Sequence, residues 1–123
     1  MKNKNLEMFC LTLEPNHLNF IEKLNYIPVG LGEKKFPDVC LSDKQGENIS
    51  KKNKFYGEYT FHYWLWKNHL KNINSNWIGF CQYRKFWALN FISNQDLNLN
   101  NLKSKILTEI PNELNDFEVI LGD

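Results

Sequence analysis

Between residues 54 and 73 the sequence reads KFYGEYTFHYWLWKNHLKNI, with aromatic side chains at Phe55, Tyr56, Tyr59, Phe61, Tyr63, Trp64 and Trp66. No other stretch restricts the fold as much. A strand competes for so aromatic a run, because such residues suit pleated surfaces. Its length and the polar positions Glu58, His62, Lys67 and Asn68 predict a helix instead. The rings spread around the helical wheel rather than marking one stripe, so the helix is expected to be buried on most sides.

The flanking segments predict what buries it. Residues 6–13 (LEMFCLTL) and 77–83 (WIGFCQY) read as buried strands, the second as a central one. Residues 26–31 (YIPVGL) read as a short strand in which Pro28 favours an edge or a strand start. A helix is expected from Asn16, a capping residue, to Leu24, with Leu18, Phe20, Ile21 and Leu24 as its apolar stripe. Residues 33–53 are polar and predict an ordered loop. Leu99, Leu102, Ile106 and Ile110 predict a helix over 96–110 ended by Pro111, and residues 117–121 (FEVIL) a last strand. Strands alternating with helices specify an α/β fold with a largely parallel sheet in a single domain over residues 1–123.

Whole-chain properties remove several classes. Fifteen basic and fourteen acidic residues leave a net charge of +1, unlike the strongly basic grooves that bind nucleic acid. No apolar run is long enough to span a bilayer, and the start lacks the form of a signal peptide, so the expected address is the cytoplasm. Cys10, Cys40 and Cys81 are odd in number and lack C-x-x-C spacing, which predicts free thiols. No metal set is visible: there is no D-x-D, no H-E-x-x-H, and His17, His62 and His69 are scattered. Phosphate-loop, dinucleotide and nucleophile-elbow motifs are also missing.

Three groups of residues can carry chemistry. Asn48 to Lys54 (NISKKNK) precedes the aromatic helix, where Ser50 or Asn53 can cap it and leave N–H groups beside lysines. That makes either an anion-binding helix start or a solvated turn. Glu58 and His62, one turn apart, form either an acid/base pair or a buried structural pair. Gln82-Tyr83-Arg84-Lys85-Phe86-Trp87 sets two cations among aromatic rings at a strand's carboxyl end. Arg84 is the only arginine in a lysine-rich chain. It marks either a site needing a planar bidentate donor for phosphate or a structural ion pair.

The order GENISKKN (46–53), YGEYT (56–60), YWLWKN (63–68) and IGFCQYRKF (78–86) resembles the uncharacterised bacterial capsular or exopolysaccharide biosynthesis glycosyltransferase family. Its hallmark is N-I-S-x-K-N, E-x-T-x-x-Y-W-x-W-K-N and H-Y-R-R-[YF]-F. The resemblance runs from the first strand to the last and includes YIPVG at 26–30. It implies a GT-A-like nucleotide-diphosphosugar transferase fold with flanking helices, of which this chain would be the amino-terminal part. The nucleoside would lie near Thr12, Glu14 and Gly30. Asn48, Ser50, Lys52, Asn53, Glu58 and Thr60 match the central motif, and Tyr83, Arg84 and Lys85 the H-Y-R-R element. Gln82 stands where the family has histidine, which removes a proton carrier from that position. Glu58, His62 and Arg84 are the expected catalytic residues, with Arg84 and Lys85 on the diphosphate.

The partners so implied are a nucleotide-diphosphosugar donor and a saccharide acceptor, without nucleic acid. Peripheral membrane association, a partner chain and a downstream segment are left open, and with that segment a divalent metal. The rival reading is a non-catalytic remnant that binds carbohydrate or a partner through its aromatic surface.

Overall fold

The computed structural model describes residues 5–90, 98 and 100–122. Four strands, β1 (Leu6–Thr12), β2 (Ile27–Gly30), β3 (Leu41–Ser42) and β4 (Trp77–Gln82), form one parallel sheet in the order β3-β2-β1-β4. β1 is therefore interior. It pairs with β2 from Phe9↔Ile27 to Thr12↔Gly30 and with β4 from Leu6↔Trp77 to Leu11↔Gln82. Among the described residues β4 ends the sheet, whereas the sequence pattern had suggested a central strand. Pro28 keeps a strand-start role. β3 pairs with β2 only from Val29 onward, so the missing proline N–H interrupts no ladder there.

Alternation along β1 divides the molecule into two cores. Leu6, Met8 and Cys10 point to one face, packed with Ile21, Leu24, Tyr26, Cys81, Leu102, Ile106 and Ile110. Phe9 and Leu11 point to the other, against Val29, Leu31, Phe61, Trp64 and Leu65. Phe9 is fully buried, its ring 5.5 Å from that of Phe61 and 6.1 Å from that of Phe80. Truncating such a ring to alanine typically costs about 3–5 kcal/mol.

On the first face lies α1 (Leu18–Lys23), entered through a 3-10 turn at Pro15–His17. It ends where Asn25 takes φ 61°, a left-handed conformation that asparagine tolerates. The carboxyl-terminal segment covers the same face. Asn5 clamps it, donating to Ile110 O at 2.9 Å and accepting from Ile110 N at 3.1 Å.

The aromatic stretch is two helices rather than one. α2 (Asn53–Tyr56) stops at Gly57 and α3 (Tyr59–Asn68) follows, with a 3-10 turn at Leu70–Asn72 after it. Gly57 has φ 55° and ψ −130°, a backbone that L side chains avoid. α3 buries Thr60, Phe61, Trp64 and Leu65 on the sheet. Its outward positions are not buried: Tyr59 and Trp66 are exposed, contrary to expectation. Trp64 Nε1 donates to Gln45 O at 2.6 Å and Asn68 Nδ2 to Glu47 O at 2.7 Å, tying the loop after β3 to α3.

Two other expectations are corrected. Residues 117–121 form no strand: they pair with none of the four strands, and Phe117, Val119 and Leu121 are exposed. Of the helix expected over 96–110, one turn forms, α4 (Leu102–Lys105), and Ile106 is already extended. Residues 96, 97 and 99 lie outside the described residues. No described helix is long and apolar enough to cross a membrane.

Candidate functional site

A cavity of about 390 Å³ opens at the carboxyl ends of β1 and β4, under the α2–α3 junction. Leu11, Thr12 and Leu13 supply its floor, and Gln82, Tyr83 and Arg84 one side. Asn53, Lys54, Gly57 and Glu58 form the wall contributed by the helices, with Leu31 between. A mostly apolar lining with a few convergent polar groups, at a volume of several hundred Å³, is the form of a small-ligand site. In parallel sheets such sites lie beyond the strands' carboxyl ends.

Five of the expected residues meet there: Thr12, Asn53, Glu58, Tyr83 and Arg84. They are held in two networks. In the first, Thr12 Oγ1 accepts from Glu14 N at 3.1 Å and lies 2.7 Å from His17 Nδ1. The His17 ring stacks on Tyr83 with centroids 3.9 Å apart and planes at 21°, and the Arg84 guanidinium carbon sits 4.9 Å from the Tyr83 centroid. Thr12, His17, Tyr83 and Arg84 are thus one continuous stack. His17 already occupies a face of Tyr83, and in sequence it was only one of three scattered histidines.

The second network fixes the helix junction. Asn53 Nδ2 donates to Gly57 O at 2.9 Å and to Thr60 Oγ1 at 3.0 Å. Thr60 Oγ1 is 2.6 Å from Asp43 Oδ2 and 3.1 Å from Gly57 O. Asp43 and Thr60 have no exposed surface, and Asp43 Oδ1 is buried without a partner. Burial raises the Asp43 carboxyl above its ordinary range, against opposing hydrogen bonds and Lys44. Thr60 therefore acts from behind the cavity wall, and Asp43 is a residue the sequence did not single out.

Glu58 stands at the N-cap position of α3 beside the cavity, without a side-chain capping bond, and accepts from Gln82 Nε2 at 3.3 Å. His62 does not join it. Its ring lies against Phe80 with centroids 4.2 Å apart, its Nε2 is buried without a partner, and it is absent from the cavity lining. Burial lowers the His62 pKa, with the nearby Glu58 charge opposing. The two side chains share a helix edge but form no hydrogen-bonded acid/base pair.

The remaining expected residues stand outside the cavity lining for identifiable reasons. Glu14 is paired with Lys34. An added Cβ at Gly30 would meet the Phe36 ring at 2.4 Å, so this glycine admits a core ring. Asn48 shapes its own turn: Nδ2 donates to Lys44 O and Gly46 O, and Oδ1 accepts from Ser50 N and Oγ. That bonding starts the 3-10 turn Ser50–Lys52, on which Lys52 is exposed. Lys85 is exposed at a tight turn, its N–H donating to Gln82 O at 2.9 Å.

Charge in the cavity comes from Arg84 and Lys54 against Glu58. The ion pairs among the described residues are Lys34–Glu14 and Lys67–Glu47, and neither engages Arg84. A guanidinium without a carboxylate partner, beside an open apolar cavity, is suited to an anionic ligand. No cluster of three or more histidine, cysteine, aspartate or glutamate side chains forms among the described residues.

A family model described as a domain of unknown function, DUF4422, matches residues 11–123. No curated protein and no solved structure matches the chain.

Proposed function

The chain belongs to the DUF4422 family, a domain of unknown function, and from its own site we propose that it is a glycosyltransferase-type domain taking a nucleotide-diphosphosugar donor. Its role would be cell-surface polysaccharide assembly, on a GT-A-like fold. The observation that carries this reading is Arg84, free of any ion pair among the described residues and lining a cavity at the carboxyl edge of a parallel sheet. Arg84 holds the diphosphate bidentately, with Lys54 as a second cation across the cavity. Negative charge builds on the nucleoside diphosphate as the sugar leaves, and a fixed guanidinium stabilises it there. Glu58, restrained by Gln82, orients a sugar hydroxyl. The family resemblance in the NISKKN, YWLWKN and QYRKF motifs points to the same chemistry.

Calorimetry with a panel of nucleotide-diphosphosugars tests it. Arg84→Lys should weaken binding at least about tenfold, since charge-assisted hydrogen bonds are worth roughly 1.5–3 kcal/mol and lysine lacks the fork. Lys23→Ala, a change at the exposed end of α1, should leave affinity unchanged. Equal affinities for the two variants would refute the diphosphate assignment. The rival reading is a non-catalytic module that binds carbohydrate through exposed rings such as Tyr59 and Trp66. Oligosaccharide binding with no nucleotide affinity would establish that instead.

A further inference from the structure

α3 is aromatic on both sides, and only one side is used. Thr60, Phe61, Trp64 and Leu65 are buried on the sheet. Tyr59, Tyr63 and Trp66, spaced i, i+4 and i+7, fall on the opposite face. Tyr59 is 64% exposed and Trp66 61%. Phe55, on α2, is 75% exposed, and Tyr56 and Leu70 are exposed at the two ends of the run. Rings this large normally find an apolar partner, and tyrosine and tryptophan are favoured where one end is apolar and the other wet.

The charge around these rings is one-sided. Residues 51–71 contain Lys51, Lys52, Lys54, Lys67 and Lys71 but a single acid, Glu58. That gives the segment +4 in a chain of net +1, so the remainder carries −3. Glu47, from the neighbouring loop, pairs with Lys67 at 3.8 Å and accepts from Tyr63 OH, leaving the face at +3. The lysines are interleaved with the rings. Lys67 Nζ is 3.9 Å from the Trp66 centroid, and Lys54 Nζ is 5.1 Å from that of Phe55.

We propose that this face docks on the interface of an anionic lipid bilayer. Tyr59, Trp66 and Phe55 enter the headgroup layer, and Lys51, Lys52, Lys67 and Lys71 meet the lipid phosphates. Two competing occupants fit less well. A second copy would bring like charge against like charge. A sugar chain needs a flat platform, whereas the Tyr63 and Trp66 rings stand at 82° to one another and make a ridge. A convex ridge flanked by long lysine stems suits a deformable surface. The inference is independent of the nucleotide-sugar reading.

Vesicle flotation without any nucleotide tests it. The full chain should float with phosphatidylcholine vesicles containing 30% phosphatidylglycerol, and not with pure phosphatidylcholine. Binding should fall between about 0.1 and 0.5 M salt as the charges are screened. Lys67→Ala with Lys71→Ala should weaken it about 25-fold, at roughly fivefold per lysine near an anionic surface. Tyr59→Ser with Trp66→Ser should abolish flotation while circular dichroism stays unchanged, since both sites are exposed. Arg84→Lys should float like wild type, which separates this result from failure of the nucleotide site. Equal flotation with neutral and anionic vesicles would overturn the proposal. So would a serine variant that floats normally, or one that loses only oligosaccharide binding or self-association.

Discussion

Asp43 shows how donor counting predicts a protonation state. Its carboxyl is fully buried behind the cavity wall, with Oδ1 unpartnered and Oδ2 2.6 Å from Thr60 Oγ1. Thr60 has one hydroxyl proton and two acceptors in reach, Asp43 Oδ2 and Gly57 O. If Asp43 is ionised, that proton goes to Oδ2 and a charged oxygen is left bare. If Asp43 is protonated, it donates to Thr60, Thr60 donates to Gly57 O, and Asn53 supplies the remaining bonds. The neutral acid fits better, in line with the upward shift caused by burial. Asp43→Asn should therefore cost no more than about 1 kcal/mol at pH 7, since an amide can replace the donating hydroxyl. Asp43→Ala strands Thr60 and leaves a void, costing about 2–3 kcal/mol. That corresponds to a Tm lower by roughly 8–12 °C for a domain of this size. The pH dependence has a definite sign. A carboxyl whose folded pKa is raised ionises first in the unfolded chain, so wild-type stability relative to Asp43→Asn falls as pH rises above about 3.9. The decline ends above the folded-state pKa and cannot exceed about 1.36 kcal/mol per pH unit. Urea unfolding followed by tryptophan fluorescence at pH 4, 5.5 and 7 measures it. If Asp43→Asn is as damaging as Asp43→Ala, or the difference from wild type grows with pH, the carboxylate is the working form and the donor count is wrong.

Two other perturbations probe the same pair of helices. Gly57→Ala places a Cβ where nothing lies within 4 Å, yet at φ 55°. Its cost is backbone strain alone, about 1–3 kcal/mol, and an unchanged urea midpoint would contradict that. His62 has its pKa lowered mainly by burial, so the neutral ring is the form the fold accepts. Stability from this group is intact above about pH 6.5 and lost as pH falls through the lower folded-state value. The stability of wild type minus that of His62→Gln should thus rise between about pH 5 and pH 7, and a flat difference would exclude the effect.

What the sequence disclosed depended on how far each signal was local. β1 was legible because LEMFCLT is a nearly unbroken apolar run, the mark of a strand that serves a core on each face. The break at Gly57 was not, since the aromatic pattern continues across it and only the backbone angles show the turn. β3 is two residues long, too short for any periodicity, and owes its place to pairing with Val29 and Gly30. The stripe Leu102, Ile106 and Ile110 correctly named core residues. It named the wrong backbone, because apolar spacing reports which side chains are buried and not the path between them.

The site divides along the same line. Thr12, Asn53, Glu58, Tyr83 and Arg84 line the cavity because they stand at the ends of strands and helices that meet there. Asn48, Ser50 and Thr60 belong to the same motif yet serve the turn and the wall, since hydrogen-bond capacity suits a residue equally for a ligand or for its own loop. His17 and Asp43 were invisible for the opposite reason: each acts through a partner distant in sequence, Tyr83 and Thr60 respectively. Arg84 remains the residue on which the two levels agree. Rarity in the sequence marked it as chosen over lysine, and among the described residues no carboxylate pairs with it at the cavity, where His17 and Tyr83 hold the stack beside it. On the proposed diphosphate reading, an Arg84→Lys variant should lose affinity before it loses fold.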